Sequence, residues 1–236
     1  MSITIEQLKV TRSHTTTLDI PFLEFDQRPT LLLGVNGAGK TTLFSVLGGH
    51  LKPYNGSVRT RGKIAIVEQH FRPIVGFNCA EYCAYVAWLR GQSWKQAQRD
   101  AISWLNFVDL QPQAQQRCEK LSGGQRARLA IATALNSGAD TLVLDEPSAS
   151  LDPISKQTIT SLYSRIVNQG RSLIVATHDS AELQPPFSRV VVLHAGQIHF
   201  DGDRAAFHQL AFDTGNSPAH VLARAFRTRG GEEADV

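Results

Sequence analysis

The chain has 236 residues, 42% of them hydrophobic, which is enough to build one large domain or one domain with an inserted subdomain and argues against intrinsic disorder. Its 24 basic and 21 acidic residues leave a net charge of +3 with no long block of either sign, so composition does not point to nucleic acid. No stretch approaches the roughly 18 consecutive apolar residues of a membrane span, and the N-terminus lacks a basic leader with a long apolar core, so the expected setting is cytoplasmic.

In chain order, Ile3, Ile5, Leu8 and Val10, then Leu18, Ile20 and Phe22, show a patchy alternation that predicts short antiparallel strands with one wet face. The apolar run Thr30 to Leu33 leads directly into Gly34-Val35-Asn36-Gly37-Ala38-Gly39-Lys40-Thr41, a full match to G-x-x-x-x-G-K-[ST]. After a strand and before a helix, such a loop turns backbone N–H groups toward an oxyanion at the positive helix end. Lys40 would reach the β- and γ-phosphates, and the Thr41 hydroxyl would face Mg²⁺. Leu43, Val46 and Leu47 continue as helix, closed by Gly48-Gly49. Ile64 to Val67 is a short buried strand ending at Glu68-Gln69.

From about Phe77 to Asn136 the pattern is helical without a convincing strand. Ser93 and Gln96 form a candidate capping box, followed at helical intervals by Trp94, Ala97, Ala101, Trp104, Leu105 and Val108. Cys79, Cys83 and Cys118 match no zinc spacing; the first two lie one helical turn apart, which suits reduced, packed thiols. Strand character returns at Thr141 to Leu144, Ser172 to Thr177 and Val190 to Leu193. Asp152 as N-cap, Pro153 at the first helical position and Gly170 delimit one more helix. Strands alternating with helices around a glycine-rich loop predict an α/β fold, with a mostly parallel sheet covered on both faces. The small, polar tail from Arg227 is expected to fray.

Two further segments carry chemistry. Thr141-Leu142-Val143-Leu144-Asp145-Glu146 delivers two adjacent carboxylates at a strand's C-terminal end, where ligands of open α/β sheets collect. Neighbours on an extended chain point apart, so Asp145 is assigned to Mg²⁺, directly or through water, and Glu146 to polarising an attacking water. Leu121-Ser122-Gly123-Gly124-Gln125 opens a helix with serine and glycines, a second candidate anion site.

From about Leu31 to Gly202 the ordered set resembles the ATP-binding cassette family: the phosphate loop, Gln69 after a strand, LSGGQ, LDEP about 20 residues later, Ser150-Leu151-Asp152, and His178 after another strand. The resemblance implies a P-loop NTPase core over about 1–76 and 138–226, with an inserted helical subdomain over about 77–137. It implies a head-to-tail pair in which Gly34 to Thr42 hold ATP in cis while Ser122, Gly123, Gly124 and Gln125 face the γ-phosphate across the interface. Gln69 would contact Mg²⁺ or water, His178 would bond the γ-phosphate and position water with Glu146, and Asp152 would link the two sites, although its N-cap role explains it equally well.

The implied partner is a separate membrane permease that holds the chain at the cytoplasmic face, docked near the helical subdomain and Phe71, Phe77, Tyr82, Tyr85 and Trp88. The segment Ala80 to Gly91 is loosely similar to exporter cassettes. Cargo and direction are not legible, and the complete motifs permit a symmetric pair. The alternative is a soluble cassette ATPase acting on ribosomes, DNA or protein complexes, but no second cassette, long coiled coil or basic extension supports it. A phosphate-loop kinase would leave LSGGQ unexplained. One departure stands out: Leu8 to Leu18 lacks the aromatic that usually stacks on adenine, leaving His14 or Arg12 as the nearest planar substitute.

Overall fold

The computed structural model describes residues 2–12 and 15–213; His14 and the tail from Arg227 lie outside them, as does the side chain of Arg12. The chain divides into two units, one of Thr60–Leu173 and one of Ser2–Arg59 with the residues from Ile174 onward.

The second of these begins with β1 (Ser2–Arg12) and β2 (Thr15–Phe25), an antiparallel pair. The strands are longer than expected and switch faces midway. Ile3, Ile5, Leu8 and Val10 are buried, as are Leu18, Ile20, Leu23 and Phe25, so on each strand the spacing of two breaks once. Register is held from Ile3↔Phe25 through Glu6↔Phe22 to Leu8↔Ile20, and the break falls on Gln7 and Pro21. Gln7 has φ 51, and Pro21 has no N–H to give to a ladder, so both chains slip by one side-chain position together. Phe22 is thereby turned out to 59% exposure, which corrects its expected place on the inner face.

β3 (Thr30–Leu33) is wholly buried and lies between β7 (Ser172–Thr177) and β8 (Arg189–His194), parallel to both. β9 (Gln197–Asp203) returns antiparallel to β8, and α1 (Lys40–Leu47) follows β3. As expected, α1 ends at a glycine pair, with Gly49 at φ 72. Arg189 is 5% exposed at its side chain; its Nε and Nη2 donate to the Asp201 carboxylate at 2.7 and 2.6 Å and its Nη1 to the Glu24 carbonyl at 2.6 Å. One guanidinium thus joins β8, β9 and β2. α6 (Arg204–Asp213) follows β9, and β4 (Asn55–Arg61) runs from this unit into the other.

The other unit pairs β5 (Ile64–Val67) in parallel with β6 (Thr141–Asp145). Its helices are α2 (Cys79–Leu89), α3 (Trp94–Phe107), α4 (Gly123–Asn136) and α5 (Pro153–Asn168). Between residues 77 and 136 there is no strand, only the isolated bridge Asn78↔Arg117. α2, α3 and α4 pack on one another and bury several small side chains, Ala84 and Ala87, Ala97 and Ala101, Ala130 and Ala134. The contact is fixed by a polar residue, since the fully buried Asn136 Nδ2 donates to the carbonyls of Cys83 at 3.0 Å and Ala97 at 3.1 Å. α5 starts and stops as expected, with Asp152 accepting from the N–H groups of Ile154 and Ser155 and Gly170 beyond its end.

The capping box expected at Ser93 is only half formed. Ser93 Oγ accepts from Gln96 N–H at 3.3 Å, but Gln96 Oε1, which would close the box, accepts from Arg99 Nη2 at 2.7 Å while its Nε2 donates to Asp100 at 2.7 Å. Complete boxes stand at Asn78 with Glu81 and at Ser122 with Gln125.

Candidate functional site

The glycine-rich loop leaves β3 at Leu33, whose register partner on β7 is Thr177, and Gly34 N–H donates to the Thr177 carbonyl at 3.2 Å. His178, exposed, is the next residue after that strand, so Gly34 and His178 start side by side from the C-terminal ends of parallel strands. Backbone dictates the glycines here. A Cβ on Gly34 would come within 2.6 Å of the Leu193 carbonyl, and Gly39, at φ 108, has Leu18 Cδ2 2.7 Å from where its Cβ would stand. Gly39 is the N-cap of α1 and brings no side-chain acceptor, so the dipole end of that helix is bounded by backbone alone. The buried Lys40 ammonium donates to the carbonyls of Gly34 at 2.6 Å and Val35 at 3.2 Å, which folds it over its own loop.

A support that the sequence reading missed is the β8–β9 turn. Gly196 N–H donates to the Ala38 carbonyl at 3.0 Å, and the Gly196 carbonyl accepts from Asp19 N–H at 2.8 Å. The turn residues Ala195 and Gly196 have φ 45 and 78, the left-handed pair that a tight two-residue hairpin turn asks for. Ala-Gly is a weaker turn signal than Asn-Gly, so the sequence does not mark this hairpin.

In the Thr60–Leu173 unit, β6 delivers Asp145 and Glu146 at its C-terminal end, 3% and 8% exposed. Glu146 has φ 47, a conformation that costs a non-glycine residue about 1 kcal/mol or more and is seen mostly where the surroundings over-determine it. Gln69, 77 positions earlier and placed by β5, brings its amide Nε2 to 3.5 Å from Glu146 Oε2. Both line a cleft of about 610 Å³, together with Phe71, Gly123, Arg126 and Leu151. Besides Glu68 and Glu146, the charged residues of its wall are Arg72, Glu119 and Arg126, which belong to no period or motif in the sequence.

The LSGGQ segment is built as a helix start. Ser122 Oγ accepts from Gln125 N–H at 3.2 Å while Gln125 Oε1 accepts from Ser122 N–H at 2.9 Å. The serine and the glutamine therefore hold each other, and the two glycines between them are left as the first helical residues. They differ sharply in surroundings. A Cβ on Gly124 would fall 2.5 Å from Ser155 Oγ and 2.8 Å from Ser155 Cβ, whereas on Gly123 it would meet only Leu151 Cδ2 at 3.5 Å. Asp152 is exposed, and the hydrogen bond from Ser155, then the backbone N–H groups at the helix start, hold its carboxyl below the ordinary range.

Of the aromatic residues in the region expected to dock the permease, Tyr82 is buried, Phe71, Phe77 and Tyr85 are half-buried and Trp88 is 47% exposed. They run as one chain of ring contacts, Phe71–Tyr82–Phe77–Tyr85–Trp88–Trp94, with centroids 5.2 to 6.3 Å apart.

A strand, a glycine-rich loop closed by a lysine over the start of a helix, and a mostly parallel sheet define a phosphate-loop nucleotide-binding protein of the α/β class. Residues 25–149, more than half of the chain, match the ABC transporter family model, and the chain belongs to that family. It is 30% identical over 211 residues to the tungstate uptake system ATP-binding protein TupC of Peptoclostridium acidaminophilum, covering 84% of this chain and 97% of that one. It is 31% identical over 210 residues to the retinal-specific phospholipid-transporting ATPase ABCA4 of Mus musculus, of whose length the match spans 9%. Among solved structures, the ATP-binding cassette MJ0796, a dimer bound to ADP and Pi, shares the fold with TM-score 0.76 at 22% identity, over 86% of this chain and 98% of that one. An inward-facing ABC transporter described as of metal-chelate type aligns with TM-score 0.79 at 21% identity, over 89% and 87%. Among the described residues no helix is long and apolar enough to cross a membrane.

Proposed function

We propose that this chain binds ATP with Mg²⁺ and hydrolyses it as one half of a head-to-tail pair, powering transport through a separate permease. Residues 1–226 act as one cassette, with 77–137 as its helical part. The observation that carries this reading is the meeting of Gln69 and Glu146 at the end of β5 and β6, in a cleft that Gly123 also lines. A phosphate loop alone serves many folds; a glutamine and a carboxylate held beside a second glycine-lined helix start answer to a reaction shared between copies.

The residues divide the work. Gly34 to Thr42 supply the backbone amide cradle, and Lys40 exchanges loop carbonyls for phosphate oxygens as a positive charge that follows the transferring group. The residues proposed to hold Mg²⁺, Thr41, Asp145 and Gln69, each bear oxygen, the donor chemistry Mg²⁺ takes. Bound there, Mg²⁺ would neutralise phosphate charge. Glu146 accepts the proton of the attacking water, with Gln69 positioning its carboxylate and His178 bonding the γ-phosphate. Ser122, Gly123, Gly124 and Gln125 present the helix start to the nucleotide held by the other copy, and Asp152 stands where the copies would communicate. Catalysis on this scheme is positioning and charge stabilisation.

The aromatic face ending in exposed Trp88, Leu89 and Trp94, with Ile74 and Val75 exposed nearby in sequence, is the surface offered to the permease. The segment 80–91 favours export, while TupC is an uptake protein by name; uptake and efflux assays in vesicles with the assembled permease decide the direction. The test of the chemistry is Glu146→Gln. ATP binding should survive, turnover should fall at least about 100-fold, and a nucleotide-trapped pair should accumulate. Near-normal hydrolysis by that variant removes Glu146 from its role.

A further inference from the structure

Cys79, Cys83 and Cys118 are all free and buried, and two of them flank one backbone bridge. The start of α2 and the segment before the signature are laced by the Asn78↔Arg117 bridge, by Cys118 N–H on the Phe77 carbonyl at 3.0 Å and by Cys79 N–H on the Gln116 carbonyl at 3.1 Å. The Cys79 thiol lies 3.4 Å from the same Gln116 carbonyl, and the backbone bridge brings the Cys118 segment alongside it. Cys83, one turn along α2, faces Thr133 and Asn136 of α4 instead. Cys118 also forms part of the wall of the cleft that holds Gln69, Glu146 and Gly123.

From this placement we infer that Cys79 and Cys118 form a reversible, peroxide-sensitive disulfide that restrains the chain entering the signature helix. The pair is prepared for it in two ways. The Cys118 side chain, acting against burial, holds the Cys79 thiol below its ordinary range, and the same pairing is the first cause that pushes Cys118 up, so the first proton lost leaves a supported thiolate at Cys79. Burial meanwhile pushes Cys83 to about 12 and keeps it a thiol. The Cys79 thiolate attacks one oxygen of a hydroperoxide, breaking the O–O bond to give a sulfenic acid and, with a proton, water or an alcohol. Cys118 sulfur then displaces the hydroxyl from that sulfenic acid, its own proton leaving with the hydroxyl as water. Two thiols are oxidised and one peroxide is reduced, with nothing left over. Neither side chain is exposed, so the reaction is slower than at a surface thiol.

Closure brings the sulfurs to about 2.05 Å. The pull falls on Cys118, which opens the short turn Cys118–Lys120 and accepts from Leu121 N–H at 3.3 Å, one residue before the Ser122 cap. The functional weight of that segment rests on the proposed role of the signature, but the link and the restraint do not.

The full chain is treated with hydrogen peroxide, unfolded, alkylated and mapped by mass without reduction, while amide hydrogen exchange is followed across residues 116–125 in oxidised and reduced protein. The expected result is a Cys79–Cys118 cross-linked peptide that dithiothreitol reverses, Cys83 recovered alkylated, and exchange in that segment slowed at least about fivefold. Cys118→Ser should lose both effects. No cross-link, or one through Cys83, overturns the site; a cross-link without slower exchange overturns the restraint. Neither readout requires ATP hydrolysis, so a failed ATPase assay and a failed disulfide are told apart.

Discussion

Replacing Gly124 by alanine separates packing from ligand chemistry in the signature. A Cβ there would stand 2.5 Å from Ser155 Oγ and 2.8 Å from Ser155 Cβ, against the 3.4 to 4 Å of ordinary contact. The Oγ can rotate away, but the Cβ is fixed to the backbone of α5. Overpacking of this kind costs roughly 1–3 kcal/mol, less up to about 1 kcal/mol that alanine gains over glycine in a helix. Gly123→Ala meets only Leu151 Cδ2 at 3.5 Å and should keep most of the helical gain. The two variants should therefore differ by about 2 kcal/mol, equivalent to roughly 4–8 °C in melting temperature for a chain of this size. Urea unfolding without nucleotide measures the difference. Ser155→Gly supplies the control: with only the Ser155 Cα left at 3.8 Å, adding Gly124→Ala should no longer destabilise. Equal stability of the two alanine variants, or a cost that persists in the Ser155→Gly background, refutes the steric account. Loss of hydrolysis in Gly123→Ala with stability intact would in contrast mark a ligand contact.

Asn136→Ala leaves the carbonyls of Cys83 and Ala97 without their buried donor and should cost about 2–3 kcal/mol in urea unfolding, with the loss centred on α2, α3 and α4 in hydrogen exchange. Cys83 has its thiol pushed up to about 12 from 9.0, so the folded state favours the protonated form. The stability this gives is complete below pH 9 and is lost as pH rises from there toward 12; Cys83→Ala should flatten that limb relative to wild type when unfolding is measured from pH 8 to 11. Lys40→Ala should lose phosphate binding and turnover together, read by nucleotide titration and phosphate release, and a variant that still binds ATP normally argues against Lys40 as a phosphate ligand.

Much of the fold was legible because the elements carry strong local signals. Leu31 to Leu33, Leu142 to Leu144 and Leu173 to Ala176 are unbroken apolar runs, and Asp152-Pro153 marks a helix start unaided. Phe22 was misplaced because the face switch depends on two residues on different strands, Gln7 and Pro21, neither of which breaks a pattern alone. The half-formed box at Ser93 shows charged neighbours, Arg99 on the Gln96 oxygen and Asp100 on its nitrogen, outcompeting a cap that composition allowed. Motif spacing named Gln69 and Glu146 separately; that they meet follows from β5 lying parallel to β6, which no local window contains. The packing reason for Gly124 is of the same kind, since Ser155 lies 31 positions away in sequence and is brought in by α5.

The central claim is that hydrolysis belongs to two copies together. It is tested most directly by phosphate release per protomer across a wide range of protein concentration, with the molar mass of the Glu146→Gln chain measured by light scattering with and without ATP. The account predicts that specific activity falls on dilution and that ATP doubles the variant's mass. Activity that stays constant down to isolated protomers, with a mass that ATP leaves unchanged, contradicts it.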